Sequence, residues 1–125
     1  MKSKPKPRQK TLSQLKKDAW TIFSRWIRNR DNWTCYTCGH HEESHQMHAG
    51  HFITRNRAST RYDEMNVHAQ CLRCNFWDGG NVGVYAERLI KEYGKERFDD
   101  LVKRSLQLKQ WKESELQELL TKYKI

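Results

Sequence analysis

At 125 residues the chain has the length of one domain, and an apolar share of 36% with a mean hydropathy of -1.05 allows only a small core. A formal net charge of +9 and a pI near 9.6 point to a polyanionic partner, nucleic acid first. No apolar run approaches the ~20 residues of a membrane span, so the chain reads as soluble and intracellular, in a reducing compartment.

The first ten residues, MKSKPKPRQK, are basic, broken by proline and without an apolar residue after Met1. Residues 1–12 read as a disordered basic tail, either an arm that neutralises phosphates or a solvated terminus. From Ser13 the pattern turns helical. Leu12, Leu15, Ala19, Ile22, Phe23, Trp26 and Ile27 recur at three and four residues and make one apolar stripe. Thr11 or Ser13 can cap its start, and the turn pair Asp31-Asn32 ends it. Lys16, Lys17, Arg25, Arg28 and Arg30 fall largely off the stripe, as a solvated face or as DNA contacts, the former being the simpler default.

Two Cys-x-x-Cys pairs follow, Cys35/Cys38 and Cys71/Cys74. Four thiols in two short-spaced pairs suit one tetrahedral zinc ion, a structural staple for a chain with little core. A redox pair explains one such turn but not two, and a disulfide framework does not suit a chain without a secretory signal. Gly39 gives the first turn backbone freedom. His40, His41 and His45 read as loop surface, because four cysteines already close a zinc shell. His48 and His51 flank Ala49-Gly50 and lead into a short strand, His51-Phe52-Ile53. Arg55, Arg57 and Arg61 crowd the next loop with Asn56, Ser59 and Thr60, as a phosphate-contact surface or an ordinary polar loop; Arg73, inside the second Cys-x-x-Cys, is grouped with them. After Asn75, Gly79-Gly80 and Asn81, helical spacing resumes from Val82 through Tyr85, Leu89, Ile90 and Tyr93, with Gly94 as C-cap. Phe98, Leu101, Val102 and Leu106 predict a further helix, and Trp111, Leu116, Leu119, Leu120 and Tyr123 a last one. These stripes serve a core or a dimer face.

A zinc-clamped hairpin and helix carrying one His and one Asn beside a basic surface resembles the HNH, or ββα-metal, nuclease site. The strings Cys-Tyr-Thr-Cys-Gly, Ala-Gly-His-Phe, Arg-Tyr-Asp-x-x-Asn-Val-His-Ala-Gln-Cys-Leu-Arg-Cys-Asn and Gly-Asn-Val-Gly-Val-Tyr are similar to those of the NinG (Rap) recombination proteins of lambdoid phages, over about Leu15 to Tyr123. The resemblance implies an α+β, mostly α fold: a zinc-bound, treble-clef-like ββα-metal core at 33–94, flanked by an N-terminal helix and by C-terminal helices at 95–125, as one domain from 13 to 125. It implies a phage- or prophage-encoded, metal-dependent endonuclease in the host cytoplasm, acting on Holliday junctions and D-loops. His51 then corresponds to the general base, Asn75 to a ligand of a catalytic Mg²⁺ or Mn²⁺, and Asn66 to the residue that braces the hairpin turn. Many such enzymes carry an acidic ligand directly before the base, where this chain has Gly50, so His48 becomes the candidate second ligand. A neutral His in place of a carboxylate favours the softer Mn²⁺ over Mg²⁺. His68 belongs to the family string without an assigned role, structural, DNA-facing or catalytic, and Asn81 is likewise unassigned. A homodimer is expected, because a symmetric junction takes two opposed nicks. Two other readings stand beside this one: an HNH nicking enzyme for phage DNA packaging, and a non-catalytic, zinc-stabilised DNA-binding module.

Overall fold

In the computed structural model, which describes residues 9–125, the chain is α+β with most of its ordered residues helical. The expected basic tail lies outside the described residues up to Arg8. Helix α1 spans Leu12–Arg30. Thr11 caps it reciprocally: its Oγ1 accepts from the Gln14 amide at 3.2 Å, and Gln14 Oε1 accepts from the Thr11 amide at 2.9 Å. Arg28 and Arg30 occupy its last turn, where the helix dipole favours cations. Asn32 and Trp33, both at positive φ, then turn the chain away.

Strands β1 (Met47–His51) and β2 (Val67–Cys71) form one antiparallel pair, with His48 opposite Gln70 and Gly50 opposite His68. The strand is thus earlier than the expected His51-Phe52-Ile53: Phe52 and Ile53 already belong to the turn, where the Ile53 amide bonds Asn66 Oδ1 instead of a ladder partner. A 3-10 turn, Ala58–Thr60, breaks the long connection. After β2 comes a single π-helical turn, Arg73–Trp77, closed by the Asp78 amide on the Arg73 carbonyl at 2.8 Å. Helices α2 (Val82–Tyr93), α3 (Lys95–Ser105) and α4 (Glu113–Lys122) complete the chain. The last begins two residues beyond Trp111, whose indole donates to the Ala58 carbonyl at 2.9 Å and pins the preceding segment.

Alternation gives the hairpin two faces. Ala49 and Val67 point to α1 and join Leu15, Ala19, Phe23 and Ile27 of that helix with Leu116 and Tyr123 in the main core. Each large apolar side chain buried there contributes roughly 1.5–3 kcal/mol. Gly50, His68 and Gln70 face the π turn and α2, where Tyr85, Leu89, Leu101, Tyr36 and Met65 form a second cluster. The end of α1 is sewn to β2: Arg30 donates to the Val67 carbonyl at 2.8 Å, and Asp31 accepts from the Ala69 amide at 2.8 Å. On its other side β2 meets the first cysteine turn, through the Tyr36 amide on the Ala69 carbonyl at 2.8 Å. β1 is therefore left as the free edge of this small sheet. Among the described residues, no helix is long and apolar enough to cross a membrane.

A candidate metal centre and the cleft beside it

The two Cys-x-x-Cys turns converge. The four sulfurs of Cys35, Cys38, Cys71 and Cys74 lie within 4.8 Å of one another, and Cys38 and Cys71 are 3.6 Å apart. A tetrahedral ion with Zn–S bonds of 2.3 Å sets its sulfurs ~3.8 Å apart, so this cage can hold a metal ion such as zinc. Three of the four cysteines are buried and Cys38 is exposed. Burial raises the Cys35 thiol, but hydrogen bonds from the Thr37 hydroxyl and from the amides of Cys71, Thr37 and Cys38 outweigh it and hold the group at about 6. Asn81, left-handed at φ 47 and capping α2, points its Nδ2 at Cys74 Sγ from 3.8 Å. Its place is beside the thiols.

Next to the cage an open cleft of about 900 Å³ runs along the free edge of β1, between α1 and the π turn. His48, His51, Asn75 and Arg55 line it, so the structure gathers three of the residues expected to carry chemistry and one expected phosphate contact. Asn75 directly follows Cys74, so the metal cage fixes its position. Its Nδ2 lies 3.0 Å from His48 Nδ1. His51 points to the opposite face of the strand and stacks on Trp20 of α1, with ring centroids 4.8 Å apart and planes 19° from parallel. Its Nε2 sits 2.9 Å from the Arg61 carbonyl, which can only accept; the proton is therefore on Nε2, and Nδ1 keeps its lone pair. Burial holds the His51 pKa below its ordinary 6.5, helped by Arg55 and Arg61 and partly opposed by the bond to the Arg61 carbonyl. Burial, then Arg28 and His45, lower His48 too.

The other expected residues lie elsewhere. Asn66 is fully buried and reaches no cleft surface. Its side chain clamps the connection between the strands, accepting from the Ile53 amide at 2.7 Å and donating to the carbonyls of Ile53 and Thr60 at 3.0 Å. Arg61 Nε donates to the Arg55 carbonyl at 2.9 Å and so shapes the loop. Arg57 and Arg73 are exposed outside the cleft, with Arg73 3.8 Å from Asp78. His68 is a core residue, 2% exposed and stacked on Tyr36 at 3.8 Å. Burial above all, then Arg30 and Arg88, hold its pKa down to about 2, so it is neutral. Tyr85 bonds both His68 Nδ1, at 3.1 Å, and the Gly50 carbonyl, at 2.8 Å, so this buried pair steadies the backbone just before His51.

Sequence reasoning passed over two residues here, Trp20 and Gln70. Trp20 supports His51, although its position lies off the apolar stripe of α1. Arg28, read from the sequence as a solvated residue or a DNA contact, lines the cleft beside His48, and no carboxylate does so among the described residues. Gln70, fully buried, donates to Thr37 Oγ1 at 3.1 Å and to the Gly80 carbonyl at 2.8 Å, while its Oε1 has no partner. That oxygen explains Gly50: a Cβ there would fall 1.9 Å from Gln70 Oε1 and 2.9 Å from Asn75 Oδ1. The space beside Gly50 is filled from the paired strand. Nothing in the sequence pattern carries that signal, because it depends on the register that sets Gln70 opposite His48.

A model of the family described as Bacteriophage Lambda NinG protein matches residues 1–125. Among curated proteins, Protein ninG of Escherichia phage 933W is 38% identical over 87 residues, covering 68% of this chain and 43% of the relative. Protein ninG of Escherichia phage lambda and that of Salmonella phage P22 are each 37% identical over 87 residues, covering 68% of this chain and 42% of the relative. The matched stretch thus spans less than half the length of these relatives. No solved structure matches this chain.

Proposed function

The chain belongs to the family of the bacteriophage lambda NinG protein, and from that premise we propose that it is an HNH-type, divalent-metal-dependent endonuclease that cuts branched DNA, Holliday junctions and D-loops included, in the cytoplasm of the host bacterium. The observation that carries the reading is the convergence of His48, His51 and Asn75 on one open cleft beside a four-cysteine cage. Zinc in the cage is scaffold, since four thiolates leave no open coordination position.

His51 is the general base. With the proton on Nε2 fixed by the Arg61 carbonyl, Nδ1 takes a proton from the attacking water, and a pKa below 6.5 keeps the ring neutral and ready at pH 7. Trp20 holds the ring in plane and shields one face from solvent. A divalent ion, when bound, stabilises the charge on the phosphorane and the leaving oxygen. Asn75 through its amide oxygen and His48 through its imidazole would hold it, two side chains that lie within hydrogen-bond distance of each other. This neutral donor set suits Mn²⁺ better than Mg²⁺. Arg28 and Arg55 orient the phosphate. Two opposed nicks in a junction call for a homodimer, which a sedimentation measurement with and without junction DNA tests directly.

The carboxylate-free cleft favours one second reading, a zinc-stabilised DNA-binding module without catalysis. The experiment is cleavage of a labelled four-way junction and a matched linear duplex under Mg²⁺ and Mn²⁺. Junction-selective cutting supports the endonuclease. Equal cutting of both substrates points to a general nicking enzyme, and tight binding without cutting installs the binding module.

A further inference from the structure

On the rim of the cleft, the π turn exposes two neighbouring aromatic rings. Phe76 is 66% and Trp77 72% exposed, in a chain whose other tryptophans are at least partly buried. The rings meet edge to face, with centroids 5.1 Å apart and planes at 84°. They form an open corner in which a flat ring can stack on one and touch the edge of the other. Their base is rigid. Cys74 and Asn75 immediately precede them, and Gly80 behind them bonds back to the Cys74 carbonyl through its amide at 2.8 Å. Phe76 itself lines the cleft with His48 and Asn75, and Val82, 53% exposed, extends the apolar rim.

We propose that Phe76 and Trp77 form a stacking corner for an unpaired nucleobase at a DNA branch point. This deepens the proposed nuclease function and rests on it for the identity of the polymer. The argument is one of shape and charge. A continuous duplex offers base edges in its grooves and phosphates outside, but no exposed π face. An interrupted stack, such as a branch point, a flap or a single strand, offers that face. Every base can use an aromatic platform, so recognition is of structure, not sequence. Cations flank the corner to receive the strand: Arg73 on the same turn, with 83% of its side chain exposed, and Arg28 and Arg55 in the cleft. A base seated on Phe76 brings its own phosphate toward His48 and Asn75, so the corner also determines which bond the cleft meets.

The test is a thermodynamic cycle on the full zinc-loaded chain, with no other divalent ion added so that no strand is cut. Affinity is measured for a four-way junction, the same junction with abasic sites at the branch point, a single strand and a linear duplex. The proteins are wild type, Phe76→Ala, Trp77→Ala and the double variant. The expected result is a roughly tenfold to hundredfold weaker hold on junction and single strand by the double variant, and less than twofold on duplex. The abasic junction should already show that loss in wild type and lose little more in the variant. Phe76→Tyr and Trp77→Phe, which keep a ring, should restore binding. Equal losses on junction and duplex, no loss on either, or additive effects of abasic site and variant would each overturn the proposal. Junction-selective cutting by wild type without such coupling removes the corner alone; coupling without any cutting under Mn²⁺ removes the nuclease and leaves the corner.

Discussion

Two sites sit back to back on this molecule, and they are built on opposite plans. The cysteine cage is closed: four ligands of one kind, three of them buried, drawn from two turns that the small sheet already holds together. The cleft is open: two histidines and an asparagine, with arginines around them and no carboxylate among the described lining residues. A full ligand shell suits holding the fold, and an incomplete one suits admitting a substrate. The two are mechanically joined, because Cys74 and Asn75 are neighbours and because Gln70 spans from Thr37, which bonds Cys35, to the Gly50 backbone. The cage therefore helps to set the geometry of the cleft.

The sharpest way to break this division is to open the cage. Cys71→Ser should abolish cooperative unfolding, because zinc binding supplies on the order of 10 kcal/mol of folding free energy in small modules. Circular dichroism melting with and without a strong chelator reads this, and a variant that melts like wild type would reduce the cage to decoration. Next in size, His51→Ala should cut cleavage by about 10²–10⁴-fold while leaving zinc content unchanged. Intact cleavage would move the base elsewhere.

A smaller effect tests the joint between the sites. Gly50→Ala drives a Cβ toward Gln70 Oε1, and overpacking of this kind costs roughly 1–3 kcal/mol. Gln70→Ala in the same chain should recover part of that loss, read by urea unfolding. Additive losses would mean that the contact does not set the residue.

Two of the three hairpin histidines, His51 and His68, respond to pH in different ways. The His51 pKa is lowered, chiefly by burial, so the neutral form that the proposed mechanism requires persists below pH 6.5. Cleavage should be flat at neutral pH and fall on acidification with an inflection under 6.5. An inflection above that value would contradict the buried setting. His68, depressed to about 2 from 6.5, acts on stability instead. Between those values the unfolded chain binds a proton that the folded chain does not, so this contribution is complete above pH 6.5 and is lost progressively as pH falls toward 2. The slope is at most ~1.4 kcal/mol per pH unit. His68→Gln should therefore flatten the acid side of the stability profile, and an unchanged slope would place the titration elsewhere.

Much of the closed site was legible in the chain, and less of the open one. Cys-x-x-Cys spacing is local, so four residues read directly as one cage. Helix α2 was equally plain, with its stripe from Val82 to Tyr93 and Gly94 at its end. The cleft depends on pairing, which is not local. A strand placed at His51-Phe52-Ile53 has neither Gly50 opposite His68 nor His48 opposite Gln70. Without that register, nothing in the chain links Gly50 to the Gln70 side chain that fills the space beside it, and His68 could not be told from a surface residue. Trp20 was hidden for a similar reason: it packs on the margin of the main core, off the apolar stripe, and its stacking partner is a histidine on another element. Phe76 and Trp77 escaped because exposure of an aromatic cannot be read from its type.

The most direct test of the division between scaffold and cleft is a metal add-back on a four-way junction. Zinc-loaded protein stripped of all other divalent ions is mixed with labelled junction, and Mn²⁺ is then titrated in, for wild type and for His51→Ala. The account predicts binding without cutting at the start, cutting that rises with Mn²⁺ in wild type alone, and unchanged zinc content throughout. Cutting by the zinc-only protein, or equal cutting by His51→Ala, would contradict it.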